Sequence, residues 1–405
     1  MSKRIVIYGI NYDPEPIGVG RYTGDLGRYL AGRGHDVRVV TAPPHYPGWT
    51  VAPPYRAGRY ARDRQAGVRI LRCPLLLRDG ARGLWRLLIP ASFALSSAPV
   101  AIWTILRHRP DVVLCVEPTL LSAPAALLAA KLVGARTVLH VQDLEIDAAF
   151  AVGHLGGGAL GRLARAFERV TLARFDRIVT ISDEMRRRLG AKGVPAATLA
   201  IVRNWVDIAK IRPLAGPNPY RQELGLAADD FVVLYSGNIG VKQALPVVLD
   251  AAARLEDDPR IVFVIGGEGP EKARLVSAYG GLRNVRFVPL QPEERLAEFL
   301  NLADLHVLPQ GAGAADLVLP SKLGGALASG KRILATANDG TELHGFLRGV
   351  GRLVPAGDVD AVTAAIRDAA AERSHDPEPA LALARTLSAP ESLARFERLL
   401  LSAEP

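Results

Sequence analysis

The sequence has little cysteine and opens without a long apolar segment. Its 405 residues include two cysteines, Cys73 and Cys115, which lie in apolar stretches without the spacing of metal ligands. Two cysteines exclude a disulfide framework and are typical of a reducing compartment. The start "MSKRIVIYGI" is too short for a secretory leader and has no small-residue cleavage site. We therefore expect a cytoplasmic protein.

Uncharged runs long enough to cross a bilayer are absent except at residues 87–106. There, "LLIPASFALSSAPVAIWTIL" has no charge over a length that suffices to span the hydrocarbon core. Pro90, Pro99 and several Ser and Thr residues interrupt the run, which lies inside a series of strands and helices. We therefore expect a buried or interfacial hairpin rather than a transmembrane span. Arginines flank the run at Arg78, Arg82, Arg86, Arg107 and Arg109.

Acidic residues are outnumbered by basic ones, 41 to 50, which gives a formal net charge of +9. Such a charge indicates an anionic partner. Runs of basic residues interleaved with aromatics are missing, so we do not expect nucleic acid as a partner. Phosphorylated small molecules and an anionic membrane surface remain.

Short apolar runs alternate with longer amphipathic ones along the chain. The apolar runs are typical of buried parallel strands and lie at 4–10, 36–42, 68–74, 111–117, 136–143 and 177–182, and again at 231–237, 260–267, 284–290, 303–310 and 331–337. Helical patterns lie between most of them. This alternation predicts an α/β protein with two doubly wound parallel sheets.

A Pro- and Gly-rich stretch, "RPLAGPNPY" (212–220), separates the two series. We expect a first domain at 1–212 and a second at 213–387. The pattern of the last helix allows packing on either domain, and we assign 388–405 to the first. Ligands of open α/β sheets bind outside the carboxyl ends of the strands, so the turns that follow strands are the candidate sites.

The turn after the first strand, "GINYDPEPIGVGRYTGDL", places Gly18 and Gly20 at the start of a helix. Glycines there allow backbone N–H groups to approach an anion. The turn does not match a dinucleotide fingerprint, because Thr23 stands at the third glycine position. The alternative is an ordinary turn without a ligand.

Polar residues follow the strand at 136–143, in "LHVQDLEIDAAFAVG". His140 and Gln142 fall on one face of the strand, and Asp143 lies on the other face or beyond the strand end. This cluster predicts a substrate pocket, although His140 alone is equally compatible with a core position. We take His140 and Asp143 as candidate catalytic residues, and Tyr12, Gln142 and Glu145 as candidate substrate ligands.

Two glycine-rich turns follow strands of the second series. In "LYSGNIGVKQAL" (234–245), Gly237 can wrap a phosphate and Lys242 supplies a compact charge that suits a diphosphate. The alternative for Lys242 is a solvated lysine at a helix edge. In "VIGGEGPEKARL" (264–275), Gly267 and Glu268 are placed for backbone contact with a nucleotide base.

The segment "LVLPSKLGGALASGKRILAT" (317–336) breaks two local rules of helix formation. Pro320 leads into Ser321, which we expect to cap a helix, with Lys322 in the first turn. A cation at a helix start and the glycines Gly324 and Gly325 each disfavour the helix, by up to about 1 kcal/mol. A phosphate beside Lys322, with the ligand lying close against the helix, would explain both features.

In their order, these motifs resemble those of the retaining GT-B glycosyltransferases of family 4, over nearly the whole chain. Within that family the chain most resembles the colanic-acid-type exopolysaccharide glycosyltransferases, in "YGINYDPEPIGVGRYTGDL", "VVTAPPHYPGW" and "HVQDLEIDAAF". Further matching stretches are "RYLAGRGHDVRVVT", "TISDEM", "NWVD", "SGNIGVKQAL", "GGEGPEKARL", "NVRFVPLQPEERLAEFLNLADLHVLP", "LPSKLGGALASGKRILAT" and "GRLVPAGD".

The resemblance implies two Rossmann-like domains facing across a cleft, the first for the acceptor and the second for the nucleotide-sugar donor. It assigns Lys242 to the donor diphosphate and the backbone of Gly18 and Gly20 to contacts there. It implies no cofactor and no metal, because cationic side chains and helix dipoles stabilise the leaving diphosphate. Tyr12, Gln142 and Glu145 would then lie on the acceptor side.

Three positions depart from the family pattern. Asn238 stands where the family has an arginine, and Gln142 where it often has a histidine, so that role passes to His140, Asp143 or neither. The Glu-x7-Glu pattern is missing, its positions falling at about 317 and 325. Asp316 and Lys322 are the candidate replacements, Asp316 for the sugar contact and Lys322 for the diphosphate.

These observations lead to the hypothesis of a glycosyltransferase that uses a UDP- or GDP-sugar. The acceptor would be a lipid-linked saccharide at the inner face of the cytoplasmic membrane, which the basic, apolar segment at 87–106 suits. Two alternatives remain open: a nucleotide-sugar epimerase of the same fold, and a non-catalytic scaffold in polysaccharide assembly.

Overall fold

The computed structural model describes residues 2–46, 48–77, 84–151, 158–311, 319–372 and 374–402. The chain divides into two compact units, one formed by residues 1–203 with 392–405 and the other by residues 204–391. Each unit holds a parallel sheet covered by helices. This confirms the predicted fold class of two α/β domains.

Unit 1 is built on eight strands. They are β1 (Arg4–Tyr8), β2 (Asp36–Thr41), β3 (Ala61–Gln65), β4 (Val68–Arg72), β5 (Val112–Glu117), β6 (Arg136–Val141), β7 (Arg177–Thr180) and β8 (Leu199–Ile201). Their order in the sheet is β3-β4-β2-β1-β5-β6-β7-β8. All neighbours are parallel except β3 and β4, which form an antiparallel hairpin at the edge. In the register of the central strands, Ile7 of β1 lies opposite Val39 of β2 and Leu114 of β5.

The helices of unit 1 connect these strands. They are α1 (Val19–Gly32), α2 (Leu84–His108), α3 (Ala123–Val133), α4 (Glu145–Ala151), α5 (Ala159–Leu172) and α6 (Asp183–Ala191). The core between sheet and helices is apolar, with Ile5, Leu26, Phe93 and Val138 fully buried. The last helix returns to this unit, where Glu397 accepts hydrogen bonds from Tyr29 (3.0 Å) and lies 2.9 Å from a ring nitrogen of His35.

Unit 2 is built on six strands and the remaining helices. The strands are β9 (Phe231–Ser236), β10 (Ile261–Gly266), β11 (Val285–Val288), β12 (Leu305–Leu308), β13 (Arg332–Thr336) and β14 (Arg352–Val354). The helices are α7 (Pro219–Glu223), α8 (Pro246–Arg254), α9 (Lys272–Tyr279), α10 (Leu296–Asn301), α11 (Leu323–Ala328), α12 (Glu342–Leu347), α13 (Val359–Ala371), α14 (Glu378–Arg385) and α15 (Ala389–Leu401), the last of which ends in unit 1. The sheet order is β11-β10-β9-β12-β13-β14, and all pairs are parallel.

The boundary between the units lies at Arg203, ahead of the Pro- and Gly-rich stretch at 212–220. The intervening segment belongs to unit 2 because its apolar side chains Val206 and Ile211 are buried in the core around α11 and α14. Backbone bonds from Val206 to Leu387, and from Ala389 to Val206, fix the segment there.

The apolar run at 87–106 forms one continuous helix, α2, and the expectation of a hairpin is wrong. Pro90 and Pro99 each remove one helical N–H donor, but the helix continues through both. Serine hydroxyls in the same stretch donate to helix carbonyls, for example Ser97 to Phe93 at 2.5 Å. By length and mean hydropathy (1.6) residues 88–108 could cross a membrane, but a third of this segment is buried inside the unit.

Candidate active site

The strand order in each sheet reverses direction at one place, where a crevice forms at the carboxyl ends of the strands. In unit 1 this place lies between β1 and β5, and in unit 2 it lies between β9 and β12. Open α/β sheets bind their ligands in such crevices. Residues that bind a ligand should therefore lie in the loops that follow these four strands.

In unit 2, Lys322 comes from the chain after β12 and reaches the end of β9. Its ammonium donates a hydrogen bond to the Tyr235 hydroxyl at 2.6 Å and lies 3.9 Å from the centre of that ring. The Tyr235 hydroxyl in turn donates to the carbonyl of Asn238 at 2.5 Å. Among the described residues Lys322 has no acidic partner. Burial without a countercharge lowers the pKa of Lys322 to about 7.

Gly237 lies directly over this lysine. A Cβ on Gly237 would stand 3.3 Å from Cε and 3.4 Å from Nζ of Lys322, and the backbone there has a φ of +149°. The glycine therefore leaves room for the lysine head and adopts a conformation that other residues avoid. The contact brings the Gly237 loop and Lys322 together, and their role in binding a diphosphate stays a prediction.

The loops that follow β9 and β10 pack closely on each other, and this packing requires their other glycines. A Cβ on Gly267 would lie 1.8 Å from the carbonyl oxygen of Gly237, and one on Gly269 would lie 2.2 Å from that of Ile239. Backbone bonds join the loops, from Ile239 to Glu268 at 2.8 Å and from Gly237 to Gly266 at 2.9 Å. These contacts account for the glycines without a ligand.

The remaining donor-side candidates of unit 2 are exposed or partly exposed. Lys242 lies on a 3₁₀ turn, Val241–Gln243, with an exposed side chain that forms no ion pair within the described part of the chain. Glu268 is exposed and pairs with Lys272 at 2.6 Å. Asn238 is half-buried, and the carbonyl of Pro320 accepts from the amide of Leu323 at 2.9 Å. Asp316 lies outside the described residues.

The expected cap at Ser321 is wrong. Helix α11 begins after Lys322, which occupies the cap position, and no side chain accepts a hydrogen bond from the first turn. Ser321 is exposed one residue earlier. Lys322 therefore precedes the helix, and its side chain points to Tyr235.

The explanation for Gly324 and Gly325 also needs correction, because neither faces a ligand space. A Cβ on Gly324 would lie 3.0 Å from Val206, and one on Gly325 would lie 2.9 Å from Leu300. Both glycines allow α11 to approach the apolar core of unit 2. Position 325, where we expect the family pattern to place its second acid, therefore has no room for a carboxylate without movement of Leu300.

In unit 1, Gly20 lies against a buried carboxylate that sequence reasoning missed, and Gly18 lies against the ring of Tyr46. Glu15 is 2% exposed, and a Cβ on Gly20 would lie 2.3 Å from its Oε2. The carboxylate accepts hydrogen bonds from the amides of His45 and Tyr46, both at 3.1 Å.

Burial raises the pKa of Glu15 despite these donors and despite a hydrogen bond from Asn11 at 2.9 Å. Gly18 has a φ of +71° and opens α1. The Glu15 carboxylate therefore lies at the start of α1, beside the glycine backbone that is predicted to contact the donor diphosphate. The motif "APPHYPGW" could have pointed to Glu15, because it supplies both amides that bind the Glu15 carboxylate.

Two other first-domain candidates are core residues. His140 is 1% exposed, packs edge-on against Phe396 at 4.7 Å between ring centres, and leaves Nδ1 without a hydrogen-bond partner among the described residues. Burial lowers the pKa of His140 to about 3, so the ring is neutral at physiological pH. Tyr12 is 2% exposed and its hydroxyl packs on α1 at Gly27. Neither side chain is placed to touch a substrate.

The carboxyl end of β6 supplies three further candidates with different surroundings. Gln142 is buried and its side-chain nitrogen lies 3.2 Å from Nε2 of His140. The Glu145 carboxylate accepts from the amides of Thr119 (3.0 Å) and Leu120 (3.2 Å), so it holds the loop that follows β5. Asp143 alone has an exposed side chain.

Glu117, the last residue of β5, was missed. It is 2% exposed at the carboxyl edge of the unit 1 crevice, and its Oε1 has no hydrogen-bond partner within the described ranges. Burial, and then the nearby carboxylates of Glu145, Glu168 and Asp143, raise the pKa of Glu117 well above its usual value. The sequence could have pointed to Glu117, because an acidic residue ends the apolar run "DVVLCVE".

No group of three or more His, Cys, Asp or Glu side chains is placed to hold a metal ion in the described part of the chain. Both cysteines are buried free thiols. The metal-independent reaction remains a prediction.

Comparison with known proteins identifies the class. Residues 18–205 match the model of the glycosyl transferase 4-like domain, and residues 218–380 match that of the glycosyl transferases group 1. Together with the two parallel-sheet units, these matches define a GT-B glycosyltransferase.

One relative shows the family more closely. The chain is 42% identical over 403 residues to WcaI of Escherichia coli (strain K12), whose name assigns it to colanic acid biosynthesis as a glycosyl transferase; the match covers 97% of this chain and 98% of WcaI. The chain therefore belongs to the family 4 glycosyltransferases that include WcaI.

Solved structures agree on the fold. HepE of Anabaena, in complex with UDP and glucose, superposes with a TM-score of 0.71 at 14% identity, covering 98% of this chain and 99% of HepE. WaaG, a glycosyltransferase involved in lipopolysaccharide biosynthesis, gives 0.71 at 16% identity, covering 98% of this chain and all of WaaG.

Proposed function

We propose that this glycosyltransferase transfers a sugar, with retention of the anomeric configuration, from a nucleoside diphosphate sugar to a lipid-linked saccharide. The reaction would take place at the cytoplasmic face of the membrane during exopolysaccharide assembly. The likeness to WcaI over nearly the whole chain supports the pathway, and the UDP and UDP-glucose complexes of HepE support the class of donor.

The observation that carries the proposal is the ammonium of Lys322 at the β9–β12 crevice. Lys322 is partly buried and has no acidic partner among the described residues, which costs stability, and a bound anion would relieve that cost. Lys322 lies under the Gly237 loop, on the edge of the sheet where nucleotides bind in such folds. We assign it to the donor diphosphate, where it would stabilise the negative charge that develops on the leaving group.

The exposed Lys242 is the second cation of this proposed donor site. With Asn238 in place of the family arginine, Lys242 and Lys322 are the two basic side chains offered by the loops after β9 and β12. Two lysines can neutralise a diphosphate without a metal ion, and this supports the metal-independent reading.

The proposed chemistry is substitution at the anomeric carbon. The bond from that carbon to the diphosphate oxygen breaks, a bond to the acceptor hydroxyl oxygen forms on the same face of the sugar, and the hydroxyl proton passes to the departing phosphate. In unit 1, the exposed Asp143 is the predicted residue with access to an acceptor, whereas His140 and Tyr12 are buried.

Calorimetry with UDP and with GDP tests the donor site. We expect one of the two to bind the native protein, and we expect Lys322→Met and Lys242→Met to weaken that binding, because each removes one cation from the diphosphate. Lys210→Met is the matched control, since Lys210 is an exposed lysine of the same unit that pairs with Glu293 at 3.1 Å. Absence of binding to both nucleotides, or equal binding by all variants, would contradict the donor site.

Two further measurements separate the alternatives. Incubating the donor sugar alone and following it by NMR distinguishes an epimerase, which would convert the donor without acceptor, from a transferase. Donor binding without transfer to any membrane extract would instead favour a scaffold.

Transfer should persist after dialysis against EDTA, and loss of transfer that Mg²⁺ or Mn²⁺ restores would overturn the metal-independent reading.

A further inference from the structure

The outer surface of α2 is apolar over residues 88–106. Leu88, Leu95, Pro99, Trp103 and Leu106 recur at helical spacing and are exposed, Leu95 to 79% and Trp103 to 55%. A surface helix normally carries charged residues on its solvent side. Among residues 88–108 of α2, whose side chains the structure describes, the first exposed charge comes at the carboxyl end, at Arg107.

Helix α3 packs beside α2 and extends the same surface. It exposes Leu128 and Leu132 together with one cation, Lys131, and Leu121 is exposed in the 3₁₀ turn just before the helix. An apolar surface continuous over two neighbouring helices is larger than the scattered apolar residues of an ordinary protein surface, and such patches mark interaction sites.

Helix α5 adds positive charge on the same side of the sheet. The connections β4–α2–β5, β5–α3–β6 and β6–α4–α5–β7 all advance in one direction across the sheet, and right-handed crossovers therefore place α2, α3 and α5 on one face. Helix α5 exposes Arg162, Arg165 and Arg169 beside Leu160 and Leu163.

Carboxylates are almost missing from this surface. Among the described residues of α2, α3 and α5 the one acid is Glu168, which is 3% exposed and accepts a hydrogen bond from Lys192 at 2.6 Å. A basic, apolar surface without acids complements an anionic lipid bilayer.

The positive charge of the whole chain belongs to unit 1. Its sequence carries 31 Lys and Arg against 17 Asp and Glu, a formal net charge of +14. The sequence of unit 2 carries 19 against 24, a net charge of −5. Long-range attraction to an anionic surface would therefore act on the unit that holds the apolar face.

We propose that the outer face of α2, α3 and α5, here called the docking face, binds an anionic lipid bilayer without crossing it. The leucines and Trp103 of α2 and α3 enter the interface, and the arginines of α5 contact lipid phosphates. The inference rests on the proposed function in that a lipid-linked acceptor requires an enzyme at the membrane, but its evidence is the surface itself.

The opposite side of α2 explains why the helix lies on the bilayer rather than across it. Phe93 is fully buried, and the Ser97 hydroxyl lies 2.7 Å from the Tyr8 hydroxyl of the central strand β1. The exposed Tyr60 donates to the carbonyl of Ser96 at 2.9 Å. Moving α2 into the bilayer core would break these contacts and open the core of unit 1.

A second copy of the chain is a poorer occupant of the docking face than a bilayer. Symmetric pairing of two such faces would bring the arginines of one α5 towards a surface that is itself basic, and the described residues of α2, α3 and α5 expose no acid to receive them. Lipid headgroups supply the missing negative charge. The amino end of α2 also lies towards the carboxyl edge of the unit 1 sheet, because the helix runs back from β4 to the start of β5. A bilayer on this face would thus lie beside the crevice of unit 1.

Vesicle sedimentation tests the proposal with the full chain. We expect binding to vesicles of equal parts phosphatidylglycerol and phosphatidylcholine, and much weaker binding to phosphatidylcholine alone or at high salt. Two double variants, Leu95→Glu with Trp103→Glu and Arg162→Glu with Arg169→Glu, should each weaken binding at least about tenfold. Leu214→Glu with Leu290→Glu, at exposed leucines of unit 2, is the matched control and should bind as the parent does.

Trp103 provides a readout at the site itself. Its fluorescence should be quenched by brominated phosphatidylglycerol vesicles, and Trp103→Phe should keep the binding but lose most of the quenching. Quenching that persists unchanged in Trp103→Phe, or equal vesicle binding by the docking-face and control variants, would overturn the proposal. So would a parent protein that ignores vesicles and forms dimers that the docking-face variants dissociate.

Failure of this proposal is distinguishable from failure of the proposed function. Vesicle binding needs no nucleotide, and nucleotide binding by calorimetry reports on unit 2, while urea titrations of each variant check that unit 1 is folded. A protein that binds vesicles through the docking face but neither nucleotide would keep this inference and lose the proposed donor.

Discussion

The proton balance of donor binding offers a sharp test of the site, because the proposal predicts that Lys322 changes its charge when the donor binds. In the free protein, burial lowers the pKa of Lys322 to about 7 from the ordinary value of 10.5. A diphosphate beside the ammonium would favour the charged form and return the pKa towards its ordinary value. Binding of a nucleotide-sugar above pH 7 should then be accompanied by proton uptake.

The magnitude follows from linkage between the two equilibria. At pH 8 a lysine with a pKa of about 7 is mostly neutral, so binding should take up about 0.9 proton. Between pH 7 and pH 9 the affinity should fall about 50-fold, which corresponds to about 2.3 kcal/mol. The sign is fixed: the folded-state pKa is depressed in the free protein, so raising the pH removes the charge that the ligand needs.

Calorimetry in two buffers of different ionisation enthalpy measures this uptake directly. UDP-glucose and GDP-mannose are suitable probes, because their diphosphates are esterified at both ends and do not titrate in this pH range. Lys322→Met should bind more weakly at pH 6.5 and show no proton uptake. Equal uptake by Lys322→Met and the parent, or affinity independent of pH in the parent, would refute the role of Lys322.

Three other substitutions follow from the packing. Gly267→Ala would place a Cβ 1.8 Å from a carbonyl oxygen of the facing loop, and should lower the free energy of unfolding by about 3 kcal/mol or more in urea titrations, whereas Gly281→Ala, with open space around it, should change it little. Gly325→Glu restores the acid of relatives but would crowd Leu300, so we expect about 1–3 kcal/mol of destabilisation and no tighter nucleotide binding; tighter binding would contradict the packing. His140 has a pKa of about 3 in the folded chain against 6.5 unfolded, so its contribution to stability is lost as the pH falls, by about 2 kcal/mol at pH 5. Urea titrations at pH 7 and pH 5 should show a smaller pH dependence for His140→Gln, and an unchanged one would contradict this.

Most strands of both sheets were predictable because parallel strands buried on both faces leave continuous apolar runs; the exceptions are β3, β8 and β14. The run at 231–237 became β9 (Phe231–Ser236), and the run at 136–143 became β6 (Arg136–Val141). The missed strand β3, "ARDRQ", lies at an edge and is largely exposed, so its sequence has neither an apolar run nor alternation. Its position depends on pairing with β4, which sequence periodicity does not report.

The site was harder to predict, because one residue type can satisfy different packing needs. Gly20 and Gly237 both lie in turns that follow strands, yet the first lies beside a buried acid, Glu15, and the second lies over a partly buried lysine, Lys322. Gly325 looked like a ligand-facing position and instead accommodates Leu300. Only the three-dimensional neighbours distinguish these cases.

Lys322 could be selected from the sequence as a candidate, because a cation at a helix start and two glycines within the helix are both unfavourable for helix formation. Its partner Tyr235 was not, since an aromatic residue near the end of an apolar strand is indistinguishable from ordinary core. The ring and hydroxyl that hold the ammonium come from a different strand, 87 residues away in the chain.

Sugar transfer itself is the most direct measurement. Purified protein is incubated with radiolabelled UDP- and GDP-sugars and a bacterial membrane extract, with Lys322→Met as the matched variant. We expect label from one donor to enter the lipid-extractable fraction with the anomeric configuration of the donor, and we expect the variant to lose most of that activity. No label in the lipid fraction from any donor, or equal transfer by Lys322→Met, would contradict the proposed reaction and its donor site.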